Sequence, residues 1–269
     1  MTVASAVAQR DRPASHRQIT PSALGQWRAL AGRIIRTMVG RGDLFIAVLA
    51  PLVFTVGFYL PLRYVMSFRG IDYAQFVMPI IVLQTMAFTM MSNAQLAAFE
   101  SMNGFNDRMR TMPVATLAPM AARVTAGFFR STVALAAAIA FGYVIGFRFV
   151  AVGQALLFCA FALAVSTVLS LGADGLGVFT KNPQALSQAL SLPTLILGML
   201  STGFVPETGF PEWVRPFARN QPVSQFATAM GDMAAGGVTW HVLWPSLVWL
   251  SALAAVFVPL GIWASRRRA

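Results

Sequence analysis

The chain has 269 residues, of which 57% are hydrophobic and only 11% charged, where a soluble domain carries about 25% charge. So few charges cannot cover the surface of a soluble enzyme this size, whereas six membrane spans of about 20 residues each fit comfortably. The net charge is +11, but the basic residues punctuate apolar runs, so they read as orientation signals and not as a nucleic-acid surface.

Residues 1–23 read as a disordered, basic, cytoplasmic tail with Arg10, Arg12 and Arg17 and no apolar core of a secretory signal. Residues 24–41 have helical periodicity. Leu24, Trp27, Leu30, Ile34, Ile35 and Met38 share one face, opposite Arg28, Arg33 and Arg36, the pattern of a helix lying in the membrane interface. Apolar runs predict transmembrane helices over about 44–60, 76–98, 120–147, 155–179, 185–204 and 242–263. A polar segment from Glu100 to Arg110 separates the second span from the third, and Lys181-Asn182-Pro183 separates the fourth from the fifth. Val205 to Gly237, with Pro206, Pro211, Pro216 and Pro222, has too short an apolar run to span. It suits short helices with Pro211 and Pro222 in first turns. Residues 266–269 form a basic cytoplasmic tail. The fold class is therefore an all-α polytopic membrane protein with one transmembrane domain over 24–265. With the N-terminus inside, 14 Lys and Arg fall on the cytoplasmic side. Five fall outside (Arg63, Arg69, Arg148, Arg215, Arg219), and Arg130 is left within a span. The bias predicts both termini in the cytoplasm.

No GxxxxGK[ST] motif occurs, and the single lysine, Lys181, has no glycine loop before it, so the chain cannot cradle ATP phosphates. His16, His241 and the lone Cys159 assemble no metal cluster, nucleophile relay or disulfide. No catalytic residue and no metal ligand is assigned, and the chain is not expected to be an enzyme.

Polar stripes mark two spans. In the second, Gln84, Phe88 and Ser92 and the adjoining Thr85, Thr89 and Asn93 advance by four. In the fifth, Ser187, Ser191, Thr194, Gly198 and Ser201 repeat at four and three. Such faces pack helices closely in lipid, and equally suit a path for a large amphipathic substrate, with Met86 and Met90 able to adapt their shape. Arg130 and Asp174 lie within spans. Charges there are costly unless paired or wetted, and a similar depth in neighbouring helices predicts that they pair. The alternative is that Arg130 snorkels alone and Asp174 caps a glycine-rich kink.

The layout, with Leu200-Ser-Thr-Gly-Phe-Val-Pro206, Phe210-Pro-Glu-Trp-Val-Arg-Pro-Phe217, Asn220-Gln-Pro-Val-Ser224, Arg108-Met-Arg-Thr-Met-Pro113, Gly142-Tyr-Val-Ile-Gly-Phe-Arg-Phe149 and Lys181-Asn-Pro183, resembles the ABC-2 type permeases. It is most similar to the daunorubicin/doxorubicin-resistance branch and its actinobacterial phthiocerol-lipid relatives. The resemblance covers about residues 25–265. It implies the membrane half of an exporter for hydrophobic drugs or complex lipids in the bacterial plasma membrane. It also implies two copies of a separate ATPase that binds ATP and Mg, and a second permease, either a sister chain or another copy. By the same resemblance, residues 100–113 contain the helix that docks on the ATPase, with Glu100, Asp107, Arg108 and Arg110 able to pair across that interface. A polysaccharide-exporting permease of the same superfamily, or a membrane scaffold or receptor, are the competing readings.

Overall fold

The computed structural model describes residues 22–68, 70, 72–105, 109, 111–112 and 114–268. These form nine helices, counting one continuous rod for 43–67, and contain no strand. Most of the expected tail (1–21), with Asp107, Arg108 and Arg110, lies outside the described residues.

Helix α1 (Ala23–Arg41) starts where the Ser22 hydroxyl accepts from Gly25 N at 3.2 Å, a side-chain N-cap. The helix thus takes up Ala23, assigned to the tail from sequence. Gly42, at φ 76°, ends α1 in the left-handed conformation and starts α2 (Asp43–Ser67), a turn that a side chain would strain. The apolar face of α1 is partly covered by protein: Ile34 and Met38 are buried in a cluster with Ala122 and Ala126, while Leu24 is exposed. Its Trp27 Nε1 donates to Thr125 Oγ1 at 3.0 Å.

The rod α2 contains one π turn, Thr55–Tyr59. It is followed by α3 (Tyr73–Met102), α4 (Ala118–Ile145), α5 (Val152–Phe179), α6 (Pro183–Met199), α7 (Arg215–Asn220), α8 (Pro222–Ala235) and α9 (Trp240–Arg268). Five of them are long and apolar enough to cross a membrane: α2, α3, α4, α5 and α9. Helix α3 is the axis of the bundle, buried along most of its length and touching α2, α4, α5, α6 and α8. Outside it, α2 exposes Phe45, Ile46, Leu49, Val53 and Val56, and α9 exposes Trp240, Val248 and Val256. An exposed apolar belt is what a lipid-facing surface requires. Glycines let α5 and α9 approach closely: a Cβ on Gly172 would meet the Phe257 ring at 2.5 Å.

The expected fifth span is the element that differs most. Helix α6 stops at Met199, and its 17 residues reach only about 25 Å at 1.5 Å per residue, short of a roughly 30 Å hydrocarbon core. It lies along the later part of α3, with Leu190 beside Met90 and Met91 and Gly198 against Gln84. Helix α8 continues along the earlier part, where Gly231 faces Pro79. The two short helices thus lie end to end along α3, with 200–221 looped out between them. The break is closed by buried polar groups. Thr202 N donates to Ser224 Oγ (3.1 Å), Ser224 Oγ donates to Ser201 Oγ (3.2 Å), and Gln221 Nε2 donates to Leu197 O (3.1 Å) and Ser224 Oγ (3.2 Å). Backbone groups freed at a buried interruption of this kind need such partners.

Contacts at the two ends fix the direction of each crossing. At one end Arg33 of α1 meets Glu100 late in α3, and Phe179 of α5 meets Trp263 late in α9, ring centroids 5.2 Å apart. At the other end Gln75 early in α3 exchanges two hydrogen bonds with the Arg148 backbone after α4. There Val150 N also donates to Ala234 O at the end of α8. Helix α1 and the C-terminus of α9 therefore sit at the same end of the bundle.

Candidate functional site

The charged groups inside the bundle gather at the α1 end. Asp174 lies five residues before the end of α5, and Arg123 five residues after the start of α4. In antiparallel neighbours these positions are level. Arg123 grips the Asp174 carboxylate with two bonds, Nε to Oδ1 and Nη2 to Oδ2 (3.0 Å). The remaining nitrogen, Nη1, donates to Glu100 Oε2 at 3.2 Å, and the other Glu100 oxygen accepts from Arg33 Nη2 at 3.1 Å. Arg33 also lies over the Phe105 ring, 4.4 Å from its centroid, a cation–π contact. One chain of charges, Arg33–Glu100–Arg123–Asp174, thus ties α1, α3, α4 and α5. The inner pair is almost fully buried, at 3% and 1% side-chain exposure, so the bidentate geometry is what makes it tolerable.

This corrects the expected Arg130–Asp174 pair. Depth was counted from Arg123 as if that residue lay at the surface, yet it is buried. Arg130 sits about two turns further along α4 and donates instead to the Asp43 carbonyl oxygen at 3.3 Å, at the start of α2. Glu100 is also not a free docking charge: both its oxygens are engaged within the chain.

The second-span stripe divides. Thr85, Thr89 and Asn93 are buried. Thr89, Ser131 of α4 and Ser166 of α5 form a hydroxyl triangle with edges of 2.9, 3.2 and 2.7 Å. Asn93 Nδ2 donates to Ser170 Oγ at 2.9 Å, and Thr85 bonds to Ile81 O in its own helix. These groups are hydrogen-bonded within one chain, between α3, α4 and α5 or to their own helix. Ser131, Ser166 and Ser170 were missed from sequence, although Ser166 and Ser170 share one helical row. On other sides of α3, Gln84 is pressed against Gly198, Phe88 is exposed edge-on to Phe54, and Ser92 is half-buried. In α6, Ser187, Ser191 and Thr194 each bond to their own helix backbone, and Ser201 belongs to the break. The two stripes meet at Gln84 and Gly198. Elsewhere on α6, Leu192, Leu195, Ile196 and Met199 are exposed.

A helical bundle with an apolar outer belt and five helices long and apolar enough to cross a membrane is a multi-pass membrane protein. Comparison with known proteins gives its family. The ABC-2 family transporter protein model matches residues 68–263, and the chain belongs to that family. It is 36% identical over 230 residues, 80% of each chain, to the doxorubicin resistance ABC transporter permease protein DrrB of Mycobacterium tuberculosis. The daunorubicin resistance ABC transporter permease protein DrrB1 of Streptomyces coeruleorubidus is 26% identical over 255 residues, 93% of this chain and 87% of the relative. A third relative, the probable doxorubicin resistance ABC transporter permease protein DrrC of M. tuberculosis, is 29% identical over 164 residues, 59% of this chain and 58% of its own length. The chain is thus an ABC-2 permease of the drug-resistance exporter type.

Proposed function

We propose that this chain is the membrane-spanning subunit of an ATP-driven exporter. It moves hydrophobic drugs or complex lipids out across the plasma membrane by alternating access. The observation that carries the reading is the similarity to DrrB over four-fifths of both chains. ATP and Mg are held by a separate ATPase, two copies of which dock on the α1 end, where residues 100–113 provide the coupling segment. The end-to-end α6 and α8 pair acts as one crossing, giving six in all, and the basic bias puts both termini in the cytoplasm. A second permease chain covers the exposed face of α6 (Leu192, Leu195, Ile196, Met199), and the substrate path runs between the two chains. The separately named DrrB and DrrC relatives support a sister chain as that partner.

The test is copurification of the chain with its genomic neighbours, followed by ATPase assays in lipid with doxorubicin and with extracted cell-envelope lipid. Stimulation of a complex that contains a P-loop ATPase is expected. A chain that copurifies with no ATPase would sink the exporter reading.

A further inference from the structure

A cavity of about 260 Å³ lies where α6 gives way to α8, enclosed by α3, α5, α6, α8 and α9. It is inside one chain, apart from the path proposed between two permeases, and its inference does not rest on that path. Its walls are aliphatic and aromatic: Leu83, Leu169, Leu190, Phe226 and Phe257 among others. Two polar side chains line it. The Thr194 hydroxyl is satisfied by Leu190 O. The Gln84 side chain is different: the residue is 4% exposed, and its carboxamide has no hydrogen-bond partner among the described residues. Gly198 holds it in place, since a Cβ there would lie 2.1 Å from Gln84 Nε2. A buried amide without a partner costs free energy unless something supplies one.

We propose that this cavity binds the tail of a single-chain amphiphile, with an ester or hydroxyl oxygen hydrogen-bonded to the Gln84 amide. Three observations select that class. The walls are apolar, so the ligand body is hydrocarbon. The volume is below the roughly 300–1,000 Å³ of drug-sized sites, so a fused-ring drug does not fit whole, whereas an alkyl chain can enter along part of its length. Leu176, one of the lining residues, is 40% exposed at the side of the bundle, so the cavity reaches the surface from which a lipid tail can slide in.

The test uses the full chain in phosphatidylcholine nanodiscs and a diazirine-bearing methyl hexadecanoate, with adducts mapped by mass spectrometry. Saturable labelling of peptides around Leu83, Leu169 and Leu190 is expected, displaced by unlabelled methyl hexadecanoate. Ala87→Phe fills the cavity and abolishes it. Gln84→Leu removes the polar contact and lowers apparent affinity about three- to tenfold. If Ala87→Phe does not fold, Gln84→Leu decides alone. Labelling that does not saturate, or that either folded variant retains at the wild-type level, overturns the proposal. So does a Gln84→Leu chain that gains thermal stability without losing probe affinity, because the amide would then be an unfilled packing defect.

Discussion

Removing the Arg123 guanidinium takes away both hydrogen bonds to Asp174 and leaves Glu100 with Arg33 alone. Arg123→Leu or Asp174→Leu should each cost about 3–5 kcal/mol, the usual penalty for orphaning one partner of a buried pair. The double Leu variant should recover a large part of that loss, read as the thermal midpoint of purified protein. Arg130→Leu combined with Asp174→Leu should show no such recovery, since the two side chains bond to different partners. At this scale the sequence was legible for Asp174 and not for its mate. A buried ionisable residue announces that it needs a partner, but which arginine is level with it depends on where α4 begins. Gly127 carried no such signal. A Cβ there would lie 2.1 Å from Asn93 Nδ2, so Gly127→Ala should destabilise by about 1–3 kcal/mol through overpacking, and Asn93→Ala in the same chain should relieve it. Additive losses in that thermal-melt cycle would contradict the contact.

The long helices were legible as elements because each contains an unbroken apolar run. Several ends run further than expected, as in α9 from Trp240 to Arg268, because helices extend through the polar residues flanking such runs, whereas α4 stops at Ile145, short of the expected 147. The break after α6 was not legible, because Leu195–Phe204 stays mostly apolar and hydropathy is blind to a chain that turns. Only Ser201 and Gly203 hint at it, and the spacing reads Ser201 as part of a continuous stripe. Gln221→Leu and Ser224→Ala should therefore act locally. Each strips hydrogen bonds from Leu197 O or Thr202 N, at about 1–3 kcal/mol for a buried group left unpaired. Faster amide exchange in α8, with α3 unchanged, is the expected measurement. Uniform exchange would mean that the break is not held by these side chains.

For the whole molecule, the crossings predict accessibility. In a Cys159→Ala background, Arg266→Cys should be shielded from an impermeant thiol reagent in intact cells, and Thr208→Cys, exposed in the looped-out segment, should react. Labelling of Arg266→Cys alone would invert the orientation. Assembly gives a second check. Reversing Arg108 and Arg110 to Glu should weaken ATPase copurification or substrate-stimulated turnover while leaving membrane insertion intact. Unchanged export would remove the coupling role from that segment.

The end-to-end pair of α6 and α8 has a consequence for biosynthesis. During translation α6 emerges with Gln188, Pro193 and three hydroxyl residues in a helix of 17 residues, a poor substrate for insertion alone. The surfaces that receive it, on α3 and α5, belong to earlier segments that have already left the ribosome. Helix α8 and its cap on Leu197 come only after the loop. A nascent chain truncated after Met199 should therefore slip back out of the bilayer in a glycosylation-tag insertion assay, and one extended past Ala235 should stay in. The order of segments in the chain thus becomes an order of assembly, in which the central helix serves as the template on which α6 and α8 are laid down.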